Sequence, residues 1–306
     1  MSSFPQTPYD AHCSAIIREL STPVAPEPTG IRASIVRLEG VRAVLFDVYG
    51  TLFVSGSGDI GAAAEKGNTS ALQDALSALG IDLDADAAEQ ALDDFHELIR
   101  NEHARSRQGG NDYPEVNIAS IWQALLGRLV ERGLSSGGLS DARLHELAVH
   151  YECRQNPVWP MPGLSNMLAR LAGHDVLLGI VSNSQFFTPL LFQSLIASDL
   201  EALGFDPSLC AWSWISREAK PSPKLLAPVL DALDQRGVSP REVVLIGNDM
   251  LNDIRMAAEA GCQTVLYAGD TRSLRMREDH PDCADLFADA VITQLDELIS
   301  CLGLQD

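Results

Sequence analysis

The chain has few basic residues for its size. Its 306 residues include 22 Lys and Arg against 42 Asp and Glu, which gives a formal net charge of -20 at pH 7. A polyphosphate or an anionic bilayer would meet net repulsion, so we expect no nucleic acid and no membrane as partner. A small anionic substrate can still bind where the local charge favours it.

Long apolar runs and paired cysteines are also missing. Runs such as 243–247 are far too short to cross a bilayer, and the start MSSFPQTPYD has neither the basic end nor the apolar stretch of a signal peptide. We therefore expect a cytoplasmic protein. The six cysteines form no CxxC pair, which argues against a disulfide framework and against a zinc site.

What the chain does have is a series of short apolar segments rich in Val, Ile and Leu. These are VRAVLFDV, VLLGIVSN, VVLIGND, TVLYAG and DAVIT, and helical patterns over 188–203, 223–236 and 252–260 lie between the last four. Continuous apolar strands are typical of a parallel sheet that is buried on both faces. We predict a doubly wound, Rossmann-like α/β sheet, with the ligand site at the carboxyl ends of its strands.

The first two predicted strands lie too far apart for one crossover, and four stretches with helical spacing fill the interval. We predict an α-helical cap domain over residues 55–160, inserted into a core of residues 41–54 and 161–306. Its Gly/Ser-rich entry and Pro-rich exit suit hinges. Residues 1–40, with one amphipathic piece over 11–20 and then three prolines, are predicted to be an extension lying over the core.

Four groups of polar residues fall at or near the predicted strand ends. Taken singly, each has an ordinary interpretation as a turn former, a helix cap or a solvated charge. Taken together, a carboxylate, a hydroxyl, a cation and an acidic pair at one sheet edge can form a site for a bound anion. The groups are Asp47 with the turn Tyr49, Gly50 and Thr51; Ser182 with Asn183; Lys220; and Asn248, Asp249 and Asp253.

These motifs, in this order and with a helical insert after the first, resemble the haloacid dehalogenase superfamily of hydrolases over about residues 41–296. The resemblance implies that Asp47 is a nucleophile that forms a covalent ester intermediate. It implies that Ser182 binds the transferring group, and that Lys220 orients the nucleophile and offsets negative charge. The predicted substrate-binding residues at the strand ends are Tyr49, Gly50, Thr51 and Asn183.

The resemblance also implies a Mg2+ site. Its ligands would be Asp47, the backbone carbonyl of Tyr49 and one residue of the fourth motif. Asp253, in the same motif, is assigned a catalytic role instead. The family normally has an aspartate directly after the glycine of this motif, whereas this chain has Asn248 there and Asp249 one place along. Either residue can supply an oxygen ligand, and both alternatives stay open.

Tyr49 is the main departure from the family pattern. Phosphatases of this group carry an aspartate at this position, which protonates the leaving oxygen, and a phenol with a pKa near 10 is a poor substitute. A halide leaves without a proton, and DVYGTL with Ser182 and Asn183 resembles the L-2-haloacid dehalogenase branch. Residues 55–160, however, lack the Arg and the aromatic-rich stretch of those dehalogenase caps.

We therefore predict Mg2+-dependent hydrolysis of a small phosphorylated metabolite. The alternative is 2-haloacid dehalogenation, and a third hypothesis is a catalytically degenerate binding protein. Within the cap, HELIRNEHARSRQ concentrates basic residues on one helix, and Arg100 is a candidate substrate ligand. A solvated face with internal charge pairs is the alternative interpretation of that helix.

Overall fold

A computed structural model describes residues 4, 7–57, 68–137 and 139–304. Eight strands occur in this part of the chain. They are β1 (Ala43–Phe46), β2 (Phe53–Ser55), β3 (Val158–Pro160), β4 (Leu177–Ser182), β5 (Phe205–Trp212), β6 (Val243–Gly247), β7 (Gln263–Tyr267) and β8 (Ala290–Ile292). Six of them form a parallel sheet in the order β5-β4-β1-β6-β7-β8. The predicted doubly wound α/β core is confirmed.

Helices flank the sheet and build the insert. No helix in the described ranges is long and apolar enough to cross a membrane. The helices are α1 (Asp10–Leu20), α2 (Thr69–Ser77), α3 (Ala85–Gln108), α4 (Ile118–Glu131), α5 (Asp141–Gln155), α6 (Leu164–Ala172), α7 (Leu190–Leu195), α8 (Ser213–Ser216), α9 (Pro223–Asp234), α10 (Met256–Glu259) and α11 (Glu297–Cys301).

The central strand positions the site. All four residues of β1 are buried, as the continuous apolar pattern requires of a strand covered on both faces. Phe46 at its end is in register with Ile180 of β4 and Ile246 of β6. Because parallel strands end at the same edge, the residues that follow these three strands meet there.

Three details of the predicted core were wrong. Strand β5 was not expected, although it pairs with β4 at the edge of the sheet. The helix predicted over 188–203 is confined to α7, and Ala197 beyond it has a φ of 56°, a left-handed conformation that ends a helix. The helix predicted over 252–260 begins as a π-helical turn over Met250–Arg255 and continues as α10.

The insert contains α2 to α5, which match the four predicted helical stretches. The antiparallel strands β2 and β3 lead into and out of it, with Phe53 opposite Pro160 and Ser55 opposite Val158. Part of the predicted entry hinge, residues 58–67, lies outside the described residues. The proposed domain boundaries at 54/55 and 160/161 fall at this pair of strands and stay a prediction.

The N-terminal extension touches both parts of the molecule. Helix α1 packs against α5 of the cap and against α7 of the core, so the expected position over the core alone is incomplete. The chain then runs to the far side of the sheet, where Ser34 bridges to Val291 of the edge strand β8. Glu27 and Thr29 bind the loop after β7 on the way.

Candidate active site

Lys220 joins two carboxylates at the carboxyl edge of the sheet. Its Nζ lies 2.5 Å from Asp47 Oδ1 and 2.6 Å from Asp253 Oδ1. Asp47 directly follows β1, Asp253 lies on the π-helical turn after β6, and Lys220 precedes α9. All three side chains are at least nine-tenths buried. The structure thus brings together the predicted nucleophile, the predicted cation and the second predicted carboxylate.

Burial and charge oppose each other in this cluster. Burial disfavours the charge on Lys220, but Asp253 and Asp47 together outweigh it and raise the pKa of Lys220 above its ordinary value. Burial also raises the pKa of Asp253, and Lys220 acts in the opposite direction. The second oxygen of Asp253 accepts a hydrogen bond from Asp249 N at 3.0 Å. The lysine therefore stays charged and holds Asp47 in place.

The turn after β1 brings an amide to the other side of the nucleophile. The Thr51 hydroxyl lies 3.2 Å from Asp47 Oδ2 and 3.4 Å from Asn248 Oδ1, so these two oxygens converge on one hydroxyl. Asn248 Nδ2 donates to Ser273 O at 2.6 Å, which turns the amide oxygen toward the nucleophile. Gly50 has a φ of +81°, and a Cβ there would lie 2.6 Å from Asn248 Nδ2.

Asp249 faces elsewhere. Its carboxylate accepts hydrogen bonds from Leu251 N and Asn252 N and so caps the following turn. Arg277 Nε lies 3.1 Å from its Oδ1, and Arg277 Nη2 lies 2.5 Å from its Oδ2. Of the two candidate metal ligands in the fourth motif, Asn248 is the one whose side-chain oxygen lies beside Thr51 and Asp47.

The two residues of the second motif, Ser182 and Asn183, have different surroundings. The buried Ser182 hydroxyl donates to the backbone carbonyl of Asn183 at 3.1 Å. Asn183 Oδ1 accepts a hydrogen bond from Lys220 N at 2.7 Å and so fixes the segment that carries the lysine. Asn183 also lines the cavity described next, whereas Ser182 is fully buried and is not among the described residues that line it.

Tyr49 turns its phenol away from solvent. The hydroxyl shares a 2.9 Å hydrogen bond with Thr188 Oγ1. Burial, followed by the nearby carboxylate of Glu152, raises the pKa of Tyr49 well above its ordinary value. A phenol that holds its proton this strongly is a poor acid for a leaving group.

A cavity of about 290 Å³ lies between the cap and the strand ends. Asn183 and Asn252 form part of its floor, and Asn252 is next to Asp253 in the chain. Its wall is mostly apolar, as in small-molecule pockets generally. The apolar and aromatic residues that line it include Phe95, Ile99, Val116, Ile118, Tyr151 and Phe187.

Two carboxyl groups of the cap line this cavity, Glu115 and Glu152. Burial raises the pKa of each to about 7. His103 lines it as well, and its pKa is lowered first by burial and then by Arg107. In the parts of the chain that the structure describes, no Lys or Arg lines the cavity.

Arg100 was the cap residue expected to bind substrate. The structure places it on the exposed side of α3, and it is not among the described residues that line the cavity. A different face of α3 lines the cavity instead, through Phe95, Ile99 and His103, which are spaced four residues apart. Near its end, α3 carries an internal charge pair between Arg105 and Glu102. Such pairs belong to the alternative interpretation of this helix as a solvated face.

A model for haloacid dehalogenase-like hydrolases matches residues 41–261. This range contains Asp47, Lys220 and Asp253 and covers well over half of the chain. The chain belongs to the haloacid dehalogenase-like hydrolases.

This hydrolase has a curated relative among the phosphatases. The phosphoglycolate phosphatase of Photorhabdus laumondii subsp. laumondii is 31% identical to it over 147 residues. The alignment covers 47% of this chain and 55% of the relative, so the hydrolase spans about half the length of that protein.

Solved dehalogenases share the fold of this hydrolase. The 2-haloacid dehalogenase from Pseudomonas syringae pv. Tomato DC3000 has a TM-score of 0.55 at 20% identity, over 86% of this chain and 98% of that one. A defluorinating L-2-haloacid dehalogenase has a TM-score of 0.50 at 20% identity, over 92% of this chain and 100% of that one. At such identity the likeness concerns the fold.

Several residues around the site were missed by reasoning from the sequence. The cavity carboxylates Glu115 and Glu152 sit in the cap without a motif, and Ser273 and Arg277 lie in a loop after β7. A weak signal existed for Glu152, since it stands among the apolar positions of α5 near the exit of the cap. No such sequence signal existed for the loop residues Ser273 and Arg277.

Proposed function

We propose that this hydrolase cleaves small phosphomonoesters through an ester intermediate on Asp47, with Mg2+ as cofactor. The observation that carries the proposal is the position of Lys220 between Asp47 and Asp253. A carboxylate attacks a phosphoryl group only when a cation offsets the repulsion between the two anions and holds it in line. Lys220 supplies both functions.

The reaction has two steps. A carboxylate oxygen of Asp47 attacks phosphorus, and the bond from phosphorus to the substrate oxygen breaks, leaving its electron pair on that oxygen, which takes a proton from water. A second water then attacks phosphorus of the aspartyl phosphate, and the bond from phosphorus to the Asp47 oxygen breaks with its electron pair left on Asp47. The attacking water gives a proton to the hydroxide formed in the first step, and inorganic phosphate is released. In both steps Lys220 offsets the negative charge of the phosphoryl oxygens. The Ser182 hydroxyl, which donates to the Asn183 carbonyl in this structure, would turn to donate to one of those oxygens.

The residues at the site fit Mg2+ as a weak set of hard oxygen ligands. Asp47 Oδ2 and Asn248 Oδ1 converge at the Thr51 hydroxyl, and the Tyr49 carbonyl belongs to the same turn. Among the described residues no three His, Cys, Asp or Glu side chains form a metal-binding group. Asn248 would supply its amide oxygen beside the Asp47 carboxylate. When bound, Mg2+ neutralises charge on the phosphoryl group.

Dehalogenation of 2-haloacids is the second candidate, because Tyr49 supplies no proton. The cavity argues against it. A 2-haloacid carries a carboxylate, and the cavity offers Glu115 and Glu152 with no Lys or Arg among its described lining residues. A phosphatase relative adds support for phosphoester chemistry.

The test compares p-nitrophenyl phosphate with 2-chloropropionate, each with Mg2+ or EDTA. We expect phosphate release that EDTA abolishes and that Asp47→Asn removes. Glu102→Gln, which removes one negative charge from the surface of α3, is the control and should retain activity. Chloride release in EDTA would favour dehalogenation, and activity that persists in Asp47→Asn would refute the nucleophile.

A further inference from the structure

We infer that the substrate's leaving group carries an ammonium group, which Glu152 binds, and no second anionic group. The inference rests on the proposed phosphomonoester hydrolysis, because it concerns the alcohol part of that substrate. It assigns to the cap a specific ligand for one end of the molecule while the strand ends bind the phosphoryl group at the other.

Within the described residues, one carboxylate oxygen of Glu152 accepts a hydrogen bond and the other accepts none. Its Oε1 accepts a hydrogen bond from Asn156 Nδ2 at 3.2 Å, and this is its one hydrogen bond within the described structure. Asn156 Oδ1 accepts from the Ser55 hydroxyl at 2.9 Å and from Ser57 N at 3.1 Å. Two donors on that oxygen fix the orientation of the amide, so its NH2 must point to Glu152. The second carboxylate oxygen is left to the cavity.

Glu115 differs from Glu152 in its bonding. Its Oε1 accepts from Val116 N at 2.8 Å and Gln185 Nε2 at 3.3 Å, and its Oε2 accepts from the Ser213 hydroxyl at 2.8 Å. Both oxygens are therefore occupied by neutral donors that tie the cap to the core. Glu115 adds negative charge to the cavity, and Glu152 has the free acceptor.

The cavity therefore has a definite preference among ligands. A carboxylate or second phosphate would be desolvated beside two acidic groups, whereas an ammonium would gain a charge-assisted hydrogen bond in a poorly solvated space. Aromatic rings of Phe95, Tyr151 and Phe187 line the same space and also favour a cation. Its volume of about 290 Å³ suits a small amino alcohol.

An ammonium group also suits the chemistry that Tyr49 imposes. The site has no carboxylic acid at that position to protonate the leaving oxygen. A positive charge on the leaving alcohol stabilises its alkoxide and so lowers the pKa of the alcohol. Such a leaving group departs more easily without a protein acid.

Three phosphoesters with the same two-carbon backbone test the inference. They are O-phosphoethanolamine, 2-hydroxyethyl phosphate and 2-phosphoglycolate, which end in an ammonium, a hydroxyl and a carboxylate. We expect kcat/KM to fall in that order, with the ammonium ester about ten-fold or more above the hydroxyl ester, the effect of one hydrogen bond between charged groups. A preference for 2-phosphoglycolate, or no preference, would overturn the inference.

Glu152→Gln then tests the assigned residue. We expect the ratio of kcat/KM between the ammonium and hydroxyl esters to collapse toward one. Glu102→Gln removes the same charge from the surface of α3, where Glu102 pairs with Arg105, and should keep the ratio. An unchanged ratio in Glu152→Gln would refute the role of Glu152. No phosphate release from any of the esters or from p-nitrophenyl phosphate would refute the proposed function, and with it this inference.

Discussion

Arg277 binds the carboxylate of Asp249 at both oxygens, through Nε and Nη2. The same carboxylate accepts from the backbone N–H groups of Leu251 and Asn252. The bonds from Arg277 connect the loop around residue 277 to Asp249, just after the end of β6. Of the two candidate metal ligands, the neighbouring Asn248 is thereby left as the one beside the nucleophile, with an uncharged oxygen.

Adding a charge at that position should strengthen metal binding. Asn248→Asp places a second carboxylate beside Asp47, and we expect the affinity for Mg2+ to rise about ten-fold or more. Without metal the new carboxylate faces Ser273 O, which now accepts from Asn248 Nδ2, so the variant should lose about 1–3 kcal/mol of stability. Calorimetric titration with MgCl2 and unfolding in EDTA measure the two effects. Equal Mg2+ affinity in both proteins would contradict the assignment of Asn248.

Removing the buried cation should be costly. Lys220→Met leaves Asp47 and Asp253 buried side by side without a counterion, so we expect a loss of about 3–5 kcal/mol in the free energy of unfolding. Adding Asp253→Asn should restore part of that stability, because one of the two repelling charges is gone. Urea denaturation of the single and double variants provides the comparison. A single variant as stable as the parent would show that the carboxylates are not repelling each other.

Restoring an acid at position 49 should change which esters are cleaved. In Tyr49→Asp we expect the rate on 2-hydroxyethyl phosphate to rise relative to p-nitrophenyl phosphate by about ten-fold or more, since only the alkyl oxygen needs a proton to leave. Tyr49→Asn is the control, because asparagine has the same size as aspartate and no acidic proton. Both variants lose the hydrogen bond to Thr188, so a change shared by both would reflect packing alone.

Glu152 should make stability depend on pH. Burial raises its pKa from 4.5 to about 7, so the folded protein binds the proton more tightly than the unfolded chain. This contribution is fully present below pH 4.5 and is lost as the pH rises to about 7, at a cost of up to roughly 3 kcal/mol. Glu152→Gln should therefore raise the melting temperature at pH 8 more than at pH 4.5.

Other groups titrate around the same cavity, and the comparison must separate them. Glu115 has the same raised pKa, His103 has a lowered one, and Tyr49 holds its proton throughout this range. Because they are present in both proteins, the difference between parent and Glu152→Gln isolates Glu152. A difference in melting temperature that does not vary with pH would refute the raised pKa.

The sequence was sufficient to predict five of the six strands of the sheet and the polar residues at their ends. Strands such as AVLF and VVLIG are covered on both faces, so every residue is buried and every residue is apolar or glycine. Their sequence pattern therefore predicts their position directly. Strand β5 was missed because FDPSLCAW contains Asp206, Pro207 and Ser208 and lies at the sheet edge, where such residues are tolerated.

The choice between Asn248 and Asp249 could not be made from spacing, because the residue that decides it is distant in sequence. Arg277 lies 28 positions after Asp249 in a loop without a recognisable pattern. The cavity was hidden for the same reason. Glu115 and Glu152 come from separate parts of the cap, and their burial depends on how the cap packs over the strand ends.

Asn156 is buried where the chain leaves the cap, and its amide touches both connections between the two parts of the molecule. Its oxygen binds Ser55 and Ser57 on the way in, and its nitrogen binds Glu152 at the end of α5. A rotation of the cap about this point therefore moves Glu152 with it. The two chain connections and the proposed leaving-group ligand therefore share one hydrogen-bond network, and a change at Asn156 would disturb both.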